Sequence, residues 1–146
     1  MKAAKQKANK GLAFNRQYTS DSQTPYEQFS YDYRTSVIRN PNGEKVFEMT
    51  DVEVPSHWSQ IATDILAQKY FRKAGVPNKT ISRDERNIPT WLMAKDPDTE
   101  ASDLSFGSET SSTQVFDRLA GTWTYWGWKG DYFTTEEDAK SFFDEV

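Results

Sequence analysis

The sequence offers few residues with which to build a catalytic or metal site. It contains one histidine, His57, and no cysteine in 146 residues. A metal site needs several nitrogen, sulfur or oxygen donors that converge on one ion, so we expect His57 to be a surface or packed side chain. The lack of cysteine also excludes a disulfide framework, a thiolate metal site and a cysteine nucleophile.

Two groups of carboxylates are the other candidates for chemistry. The stretch 96–103 has acidic residues at the spacing of a calcium loop, but it lacks the glycine and the final glutamate of an EF-hand. We therefore expect a solvated loop there. The run 136–138 could supply an acid–base pair, yet it falls in the first turn of a predicted helix, where the helix dipole favours negative charge. The position of this acidic run in the first helical turn accounts for its charge, so no catalytic role is needed to explain it.

Aromatic residues cluster near the C-terminus and could stack on bases or sugars. No basic stripe accompanies them, so a place in the core or in a protein interface is the preferred interpretation. The Gly127–Gly130 turn within the cluster lacks the Lys-Ser/Thr ending of a phosphate-binding loop. The cluster consists of Trp123, Tyr125, Trp126, Trp128, Tyr132 and Phe133.

Composition and charge indicate a soluble, cytoplasmic protein with one domain and a tail. Hydrophobic residues make up 36% and charged residues 27%, and no run is long enough for a membrane span or a signal peptide. We expect residues 1–30 to form a basic, partly disordered arm and residues 31–146 to form the domain, with an acidic loop at about 93–112. A nucleic-acid-binding arm is the less favoured alternative. The basic residues of the arm are Lys2, Lys5, Lys7, Lys10 and Arg16.

A hairpin and a central helix are expected to come first in this domain. The turn residues 40–43 lie between apolar stretches at 33–39 and 45–49, which predicts two antiparallel strands. The following stretch, 55–72, has apolar residues at helical spacing, and Ser56 is the predicted cap. The predicted buried face of this helix consists of Trp58, Ile61, Ala62, Ile65, Leu66, Tyr70 and Phe71.

Two more helices are expected after the acidic loop. The first begins after Ser111 or Ser112 and ends near Gly127, with an inner face of Val115, Phe116, Leu119, Ala120 and Trp123. The last begins with a capping box from Thr134 to Glu137, and its apolar face is still in register at the final residue. This pattern predicts a helix that continues or meets a partner. The suspected interface residues are Trp126, Trp128, Phe142, Phe143 and Val146.

Two blocks of sequence carry a resemblance to a known family. The first reads Val52-x-Val54-Pro55-x-x-Trp58-Ser59-Gln60-x-Ala62-x-Asp64-Ile65, and Lys69-Tyr70-Phe71-Arg72 follows it. The second reads Gln114-Val115-Phe116-Asp117-Arg118-Leu119-Ala120-Gly121, then Trp123-Thr124-Tyr125-Trp126-Gly127-Trp128-Lys129-Gly130. Together they resemble the N-terminal segment of adenosylcobalamin-dependent (class II) ribonucleotide reductases, over roughly residues 30 to 146.

The resemblance implies a structural role in a larger enzyme. It implies a mainly α fold with a small β-hairpin (α+β), which is the N-terminal helical lobe of the reductase large subunit. In the family this lobe packs beside a ten-stranded α/β barrel, and this chain does not include the barrel. The family reduces ribonucleotides to deoxyribonucleotides with a thiyl-radical cysteine, a redox cysteine pair and adenosylcobalamin. A chain without cysteine is expected to be inactive alone and to bind no cofactor, substrate or effector except through the complete enzyme. The implied partner is the catalytic barrel portion, and the alternative is a stand-alone interaction or regulatory module.

Overall fold

The computed structural model describes residues 11–146, so the four lysines predicted to form the basic arm lie outside the described residues. The chain divides into two compact units. The hairpin unit comprises Tyr26–Arg83 and Ala94–Leu119, and the terminal unit comprises the described residues up to Pro25 together with Asp84–Met93 and Ala120–Val146. Three α-helices and small antiparallel sheets give an α+β fold. Within residues 11–146, no helix combines the length and apolar character needed to cross a membrane.

A long β-hairpin opens the hairpin unit. Strand β1 (Tyr31–Arg39) pairs antiparallel with β2 (Lys45–Pro55). The predicted turn between them is confirmed: Gly43 has a φ of +87° and its amide donates to Asn40 O at 2.8 Å. Strand β2 runs farther than predicted because Val52 and Val54, on the same face, are both fully buried.

The predicted central helix is shorter than its sequence pattern indicates. Helix α1 spans Gln60–Ile65 and passes into a π-helical turn, Leu66–Tyr70. Ser59, not Ser56, is its cap and accepts from the amide of Ala62 at 3.1 Å. The predicted start was wrong because strand β2 extends to Pro55 and a turn follows it, in which the amide of Trp58 donates to Pro55 O at 3.0 Å before the helix begins.

The buried face of this segment also differs from the prediction. Ile61, Ile65 and Tyr70 are 71%, 51% and 57% exposed. Leu66 and Phe71 are buried as predicted, and Thr63 and Ala67 are buried although the predicted face did not include them. Thr63 can be buried on this face because its hydroxyl donates to Ser59 O at 3.2 Å. Leu66 and Phe71 are five residues apart, a spacing that the π turn closed by the amide of Phe71 on Leu66 O accommodates. The core of the hairpin unit consists of Val52, Val54, Leu66, Ala67, Phe71 and Val115.

Four short strands follow in the hairpin unit. Strand β3 (Val76–Pro77) pairs with β6 (Phe106–Gly107), and β4 (Thr80–Ser82) pairs with β5 (Lys95–Pro97). Strands β5 and β6 therefore lie in the segment that the sequence suggests is a loop. Their side chains are mostly exposed, so main-chain pairing rather than apolar burial defines them.

Helix α2 (Ser112–Lys129) begins in the hairpin unit and continues in the terminal unit. Its start is confirmed, since the amide of Thr113 donates to the Ser111 hydroxyl at 3.2 Å. Its predicted inner face is only half correct. Val115 and Ala120 are buried, whereas Phe116 and Trp123 are 37% and 46% exposed. The helix also ends two residues later than predicted, at Lys129.

Helix α3 (Glu136–Glu145) and the N-terminal segment 11–25 both belong to the terminal unit. The capping box exists, but it joins Thr135 to Asp138, one residue later than predicted. Phe14, Phe133 and Phe142 pack together with ring centroids 5.2 to 5.6 Å apart. This trio places the ring of Phe142 in contact with the N-terminal segment, which the sequence pattern does not reveal.

We predict opposite effects from the same substitution at two glycines of α2. Replacing a helical glycine by alanine ordinarily stabilises a helix by about 1 kcal/mol. At Gly127, however, a Cβ would lie 2.7 Å from the buried Phe133 ring, whereas at Gly121 it would lie 3.7 Å from the Phe143 ring, an ordinary contact. Gly121→Ala should therefore stabilise, and Gly127→Ala should lower the free energy of unfolding by about 1–3 kcal/mol.

Urea unfolding of the two variants beside the unmodified chain checks this prediction. The Gly121→Ala variant is the matched control, because it tests helix propensity on the same helix without the close ring. Stabilisation by both substitutions to a similar extent would show that the Phe133 ring moves aside at little cost.

Candidate functional site

The residues with catalytic potential do not converge in the structure. His57 is exposed, and its ring lies 5.6 Å from that of Phe29. In the acidic stretch, Asp96 accepts from Nε of Arg83 at 2.8 Å, and this hydrogen bond lowers the pKa of Asp96. Asp103 lies 3.4 Å from the ammonium of Lys79. Across residues 11–146, no group of three or more histidine, aspartate or glutamate side chains could hold a metal ion.

The carboxylates of helix α3 have structural partners. Glu136 accepts from the indole nitrogen of Trp91 at 2.9 Å. Asp138 caps the helix and also accepts from the amide of Phe14 at 2.9 Å. Hydrogen bonding, chiefly from the Thr135 hydroxyl, lowers the pKa of Asp138. Both carboxylates accept hydrogen bonds from other segments of the terminal unit and so help to hold that unit together.

Acidic side chains of α3 also hold the segment 11–19. Arg16 donates to Asp144 at 2.6 Å, and Glu145 accepts from the amide and hydroxyl of Thr19 at 2.8 and 2.6 Å. The hydrogen bond from the Thr19 hydroxyl is the main cause of the lowered pKa of Glu145. Sequence analysis treats this segment as an irregular arm. The opposite charges of Arg16 and the last helix were the only signal of the contact.

The five suspected interface residues are divided by the structure into exposed and packed side chains. Trp126 and Val146 are 63% and 52% exposed. Trp128 is half-buried and donates to Asn87 O at 2.7 Å. Phe142 belongs to the ring trio, and the Phe143 ring lies edge-on to another ring at 5.9 Å. The part of this set that is most available to a partner is Trp126 with Val146.

Trp123 and Tyr132, near the C-terminal end of α2, are also exposed. Trp123 is 46% exposed and precedes Trp126 by one helical turn, which places the two indoles on the same side of α2. Tyr132 is 66% exposed. Sequence analysis placed Trp123 on the inner face of α2 and left the aromatic cluster open between core and protein interface, because apolar periodicity alone cannot tell a buried face from a face that binds a partner.

The hairpin unit contains an apolar groove of about 340 Å³ between the α1 segment and the start of α2. The ring of Trp58 stands edge-on to that of Phe116, with centroids 6.2 Å apart, within the lining. Arg34 fixes the chain before α1 by donating to Ser56 O at 2.7 Å and to Trp58 O. The side chains that line the groove are Trp58, Ala62, Ile65, Leu66, Tyr70, Val115, Phe116 and Leu119.

Comparison with known proteins identifies the family. Residues 32–146 match the family model described as class II vitamin B12-dependent ribonucleotide reductase. The chain belongs to this family. The match confirms the resemblance seen in the two sequence blocks, and it is consistent with an N-terminal domain of the class II reductase.

Relatives within the class II reductase family cover nearly the whole chain. The vitamin B12-dependent ribonucleotide reductase of Bradyrhizobium diazoefficiens is 51% identical over 140 residues, and that of Agrobacterium fabrum is 48% identical over 140 residues. Both alignments cover 92% of this chain. A reductase of the same name from Rhodopirellula baltica is 32% identical over 93% of the chain. The chain spans about 11% of the length of each of these reductases.

Proposed function

We propose that this chain is the N-terminal portion of a vitamin B12-dependent ribonucleotide reductase and supports the reduction of ribonucleotides to deoxyribonucleotides when joined to the catalytic barrel. The observation that carries the proposal is the 51% identity to a named reductase across 92% of the chain. In this proposal the chain is a lobe that packs beside the barrel, in the cytoplasm. Substrate and effector bind through the complete enzyme.

The residues that the structure describes, 11–146, do not fit the cobalamin on which its relatives depend. His57 has no neighbouring donor set, and the groove of the hairpin unit is lined by apolar side chains. A corrin carries many amide groups, which need hydrogen-bonding partners in a binding site. We therefore assign adenosylcobalamin to the remainder of the enzyme and derive no step of the reaction through it here.

We predict that the purified chain alone forms no deoxyribonucleotide from ribonucleotides and adenosylcobalamin. Its 146 residues include no cysteine, so it cannot form a thiyl radical or a redox dithiol. Chromatography of the reaction products measures this directly. Product from rigorously purified chain would contradict the proposal that catalysis belongs to the remainder.

A chimera tests the positive half of the proposal. In the Bradyrhizobium diazoefficiens reductase, this chain replaces the matching N-terminal residues, and a variant that simply lacks them serves as the comparison. We expect the chimera to form deoxyribonucleotides faster than the deletion variant, because the lobe supports the barrel. Equal rates for the chimera and the deletion would contradict the proposal.

We further propose that the suspected interface residues, with Trp126 and Val146 most exposed, meet the barrel portion. Large apolar side chains left in water are disfavoured, and burying one is worth roughly 1.5–3 kcal/mol. Trp126→Ser should therefore weaken association with the barrel portion, while Tyr18→Ser, at another highly exposed position, should not. Surface plasmon resonance gives the two affinities, and equal affinities would remove Trp126 from the interface.

A further inference from the structure

The groove of the hairpin unit has the chemistry of a docking site for apolar side chains. Its lining is made by Trp58 and by side chains of α1, the π turn and the start of α2, and several of these remain exposed. Ile65, Tyr70 and Phe116 are 51%, 57% and 37% exposed, although each is large and mostly apolar. Large apolar side chains that line one concave surface, instead of lying singly, are typical of a site where another molecule or segment binds.

The lining excludes a small polar ligand. The polar side-chain atoms of the lining residues are the Tyr70 hydroxyl and the Trp58 indole nitrogen. Sites for nucleotides and similar metabolites place several polar or charged groups where they fix the orientation of the ligand. The occupant of this groove is therefore recognised by shape and apolar contact, as a protein segment is.

The volume of the groove argues against a second copy of this chain as the occupant. About 340 Å³ accommodates one or two large side chains, whereas a stable dimer buries roughly 800 Å² on each partner. A two-fold dimer with its axis through the groove would also set two concave surfaces against each other and leave them unfilled. The sequence of residues 1–10, with four lysines and Met1 as its one large apolar side chain, also lacks the spaced large apolar side chains that such a groove binds.

A groove of this size is effective for a partner that is already held close to the chain by a tether or by a larger interface. When two segments are tethered or share a larger interface, a weak contact becomes effective through its high local concentration. The relatives supply such a partner, because this chain corresponds to only 11% of their length. The remaining part of the reductase is the macromolecule that the comparisons connect to this unit.

We propose that the groove binds one amphipathic helix from the catalytic remainder of the reductase, through large aliphatic or aromatic side chains spaced three or four residues apart. This inference rests on the proposed function. It adds the groove as a second surface that binds the reductase, separate from Trp126, and specifies the kind of segment that the groove binds. A helix laid between α1 and α2 buries its apolar face against two helical walls, which is a recurring mode of peptide recognition.

The test compares two isoleucines of α1. Ile65 lines the groove, whereas Ile61 lies one turn earlier, is 71% exposed and does not line it. Because the chain has no cysteine, Ile65→Cys and Ile61→Cys each provide a unique site for a polarity-sensitive dye. The probe is the Bradyrhizobium diazoefficiens reductase that lacks its matching N-terminal residues. We expect its addition to shift the emission of the dye at position 65 to shorter wavelength and to leave position 61 unchanged.

A second variant tests the groove without a dye. Ala62→Phe fills the groove from within and preserves an apolar surface, so we expect it to weaken binding of the reductase remainder about 10-fold or more. Circular dichroism of the variant shows whether the unit stays folded, and Ile61→Ser is the matched surface control.

The outcomes separate the two proposals. If the unmodified chain does not bind the reductase remainder, both the proposed function and this inference are overturned. If it binds, but the dye at position 65 does not respond and Ala62→Phe binds equally well, only the groove assignment is overturned. An emission shift that rises with the concentration of the chain alone would identify a second copy as the occupant and would also overturn the inference.

Discussion

Arg118→Met is expected to lower the free energy of unfolding by about 3–5 kcal/mol, because it leaves a buried carboxylate without its ionic partner. Glu109 is 3% exposed and accepts from the Arg118 guanidinium at 2.8 and 3.0 Å. The same guanidinium donates to Tyr70 O at 3.0 Å, which ties α2 to the end of the π turn. Equilibrium urea unfolding measures the loss.

Two controls make the Arg118 result specific. Lys79→Met breaks an exposed ion pair with Asp103 and should change the free energy of unfolding by less than about 1 kcal/mol. Adding Glu109→Gln to Arg118→Met removes the buried charge and should recover part of the loss. Equal decreases in the free energy of unfolding of the Lys79 and Arg118 variants would show that the Glu109 carboxylate becomes hydrated or finds another partner when the guanidinium is absent.

The same pair predicts how stability depends on pH. Burial alone would raise the pKa of Glu109, but hydrogen bonds from Arg118 and the amide of Arg72 outweigh burial and lower it below its ordinary value of 4.5. A carboxylate with a lowered pKa contributes stability above its unfolded pKa and loses it as the pH falls through the folded value. Between pH 7 and about pH 3, the unmodified chain should therefore lose more stability than Glu109→Gln.

Arg34→Met is expected to lower the free energy of unfolding by about 2–4 kcal/mol, because two main-chain carbonyls lose their hydrogen-bond donor and each such loss costs about 1–3 kcal/mol. Arg34 donates to Ser56 O, to Trp58 O and to the Thr63 hydroxyl, the last at 3.2 Å. It joins strand β1 to the turn before α1. The substitution should also move the Trp58 ring and change its fluorescence.

Arg39→Met is the matched control for Arg34, because Arg39 lies on the same strand and donates to Gly43 O in an exposed turn. We expect a change of less than about 1 kcal/mol there. A loss at Arg34 no larger than at Arg39 would show that the turn before α1 holds its shape without the guanidinium.

Local signals were predictable from the sequence. Asn40-Pro41-Asn42-Gly43 predicted the hairpin turn, because proline presets φ and glycine accepts the positive φ that the turn requires. The serines at 111 and 112 predicted the start of α2 for a similarly local reason. The Trp-rich blocks predicted the family, which the match over residues 32–146 confirms.

Burial was less predictable, because it depends on what packs against each face. The apolar positions of α1 indicated one buried stripe, yet Ile61 and Ile65 are exposed and Thr63 is buried. Thr63 is satisfied there by Ser59 O, to which its hydroxyl donates at 3.2 Å. Periodicity identifies the amphipathic character of a segment but does not distinguish its own core from a surface reserved for a partner.

The sequence by itself determined the family, the hairpin turn, the approximate positions of α2 and α3, and the lack of any cysteine for thiol chemistry. Only the tertiary structure decided that Arg16, Asp144 and Glu145 join distant segments, and that the groove of the hairpin unit stays open. The physical reason is the sequence separation of the residues that interact. Turns and caps are fixed by interactions within a few residues, whereas ion pairs and grooves arise between segments that many residues separate, and the sequence does not specify their approach.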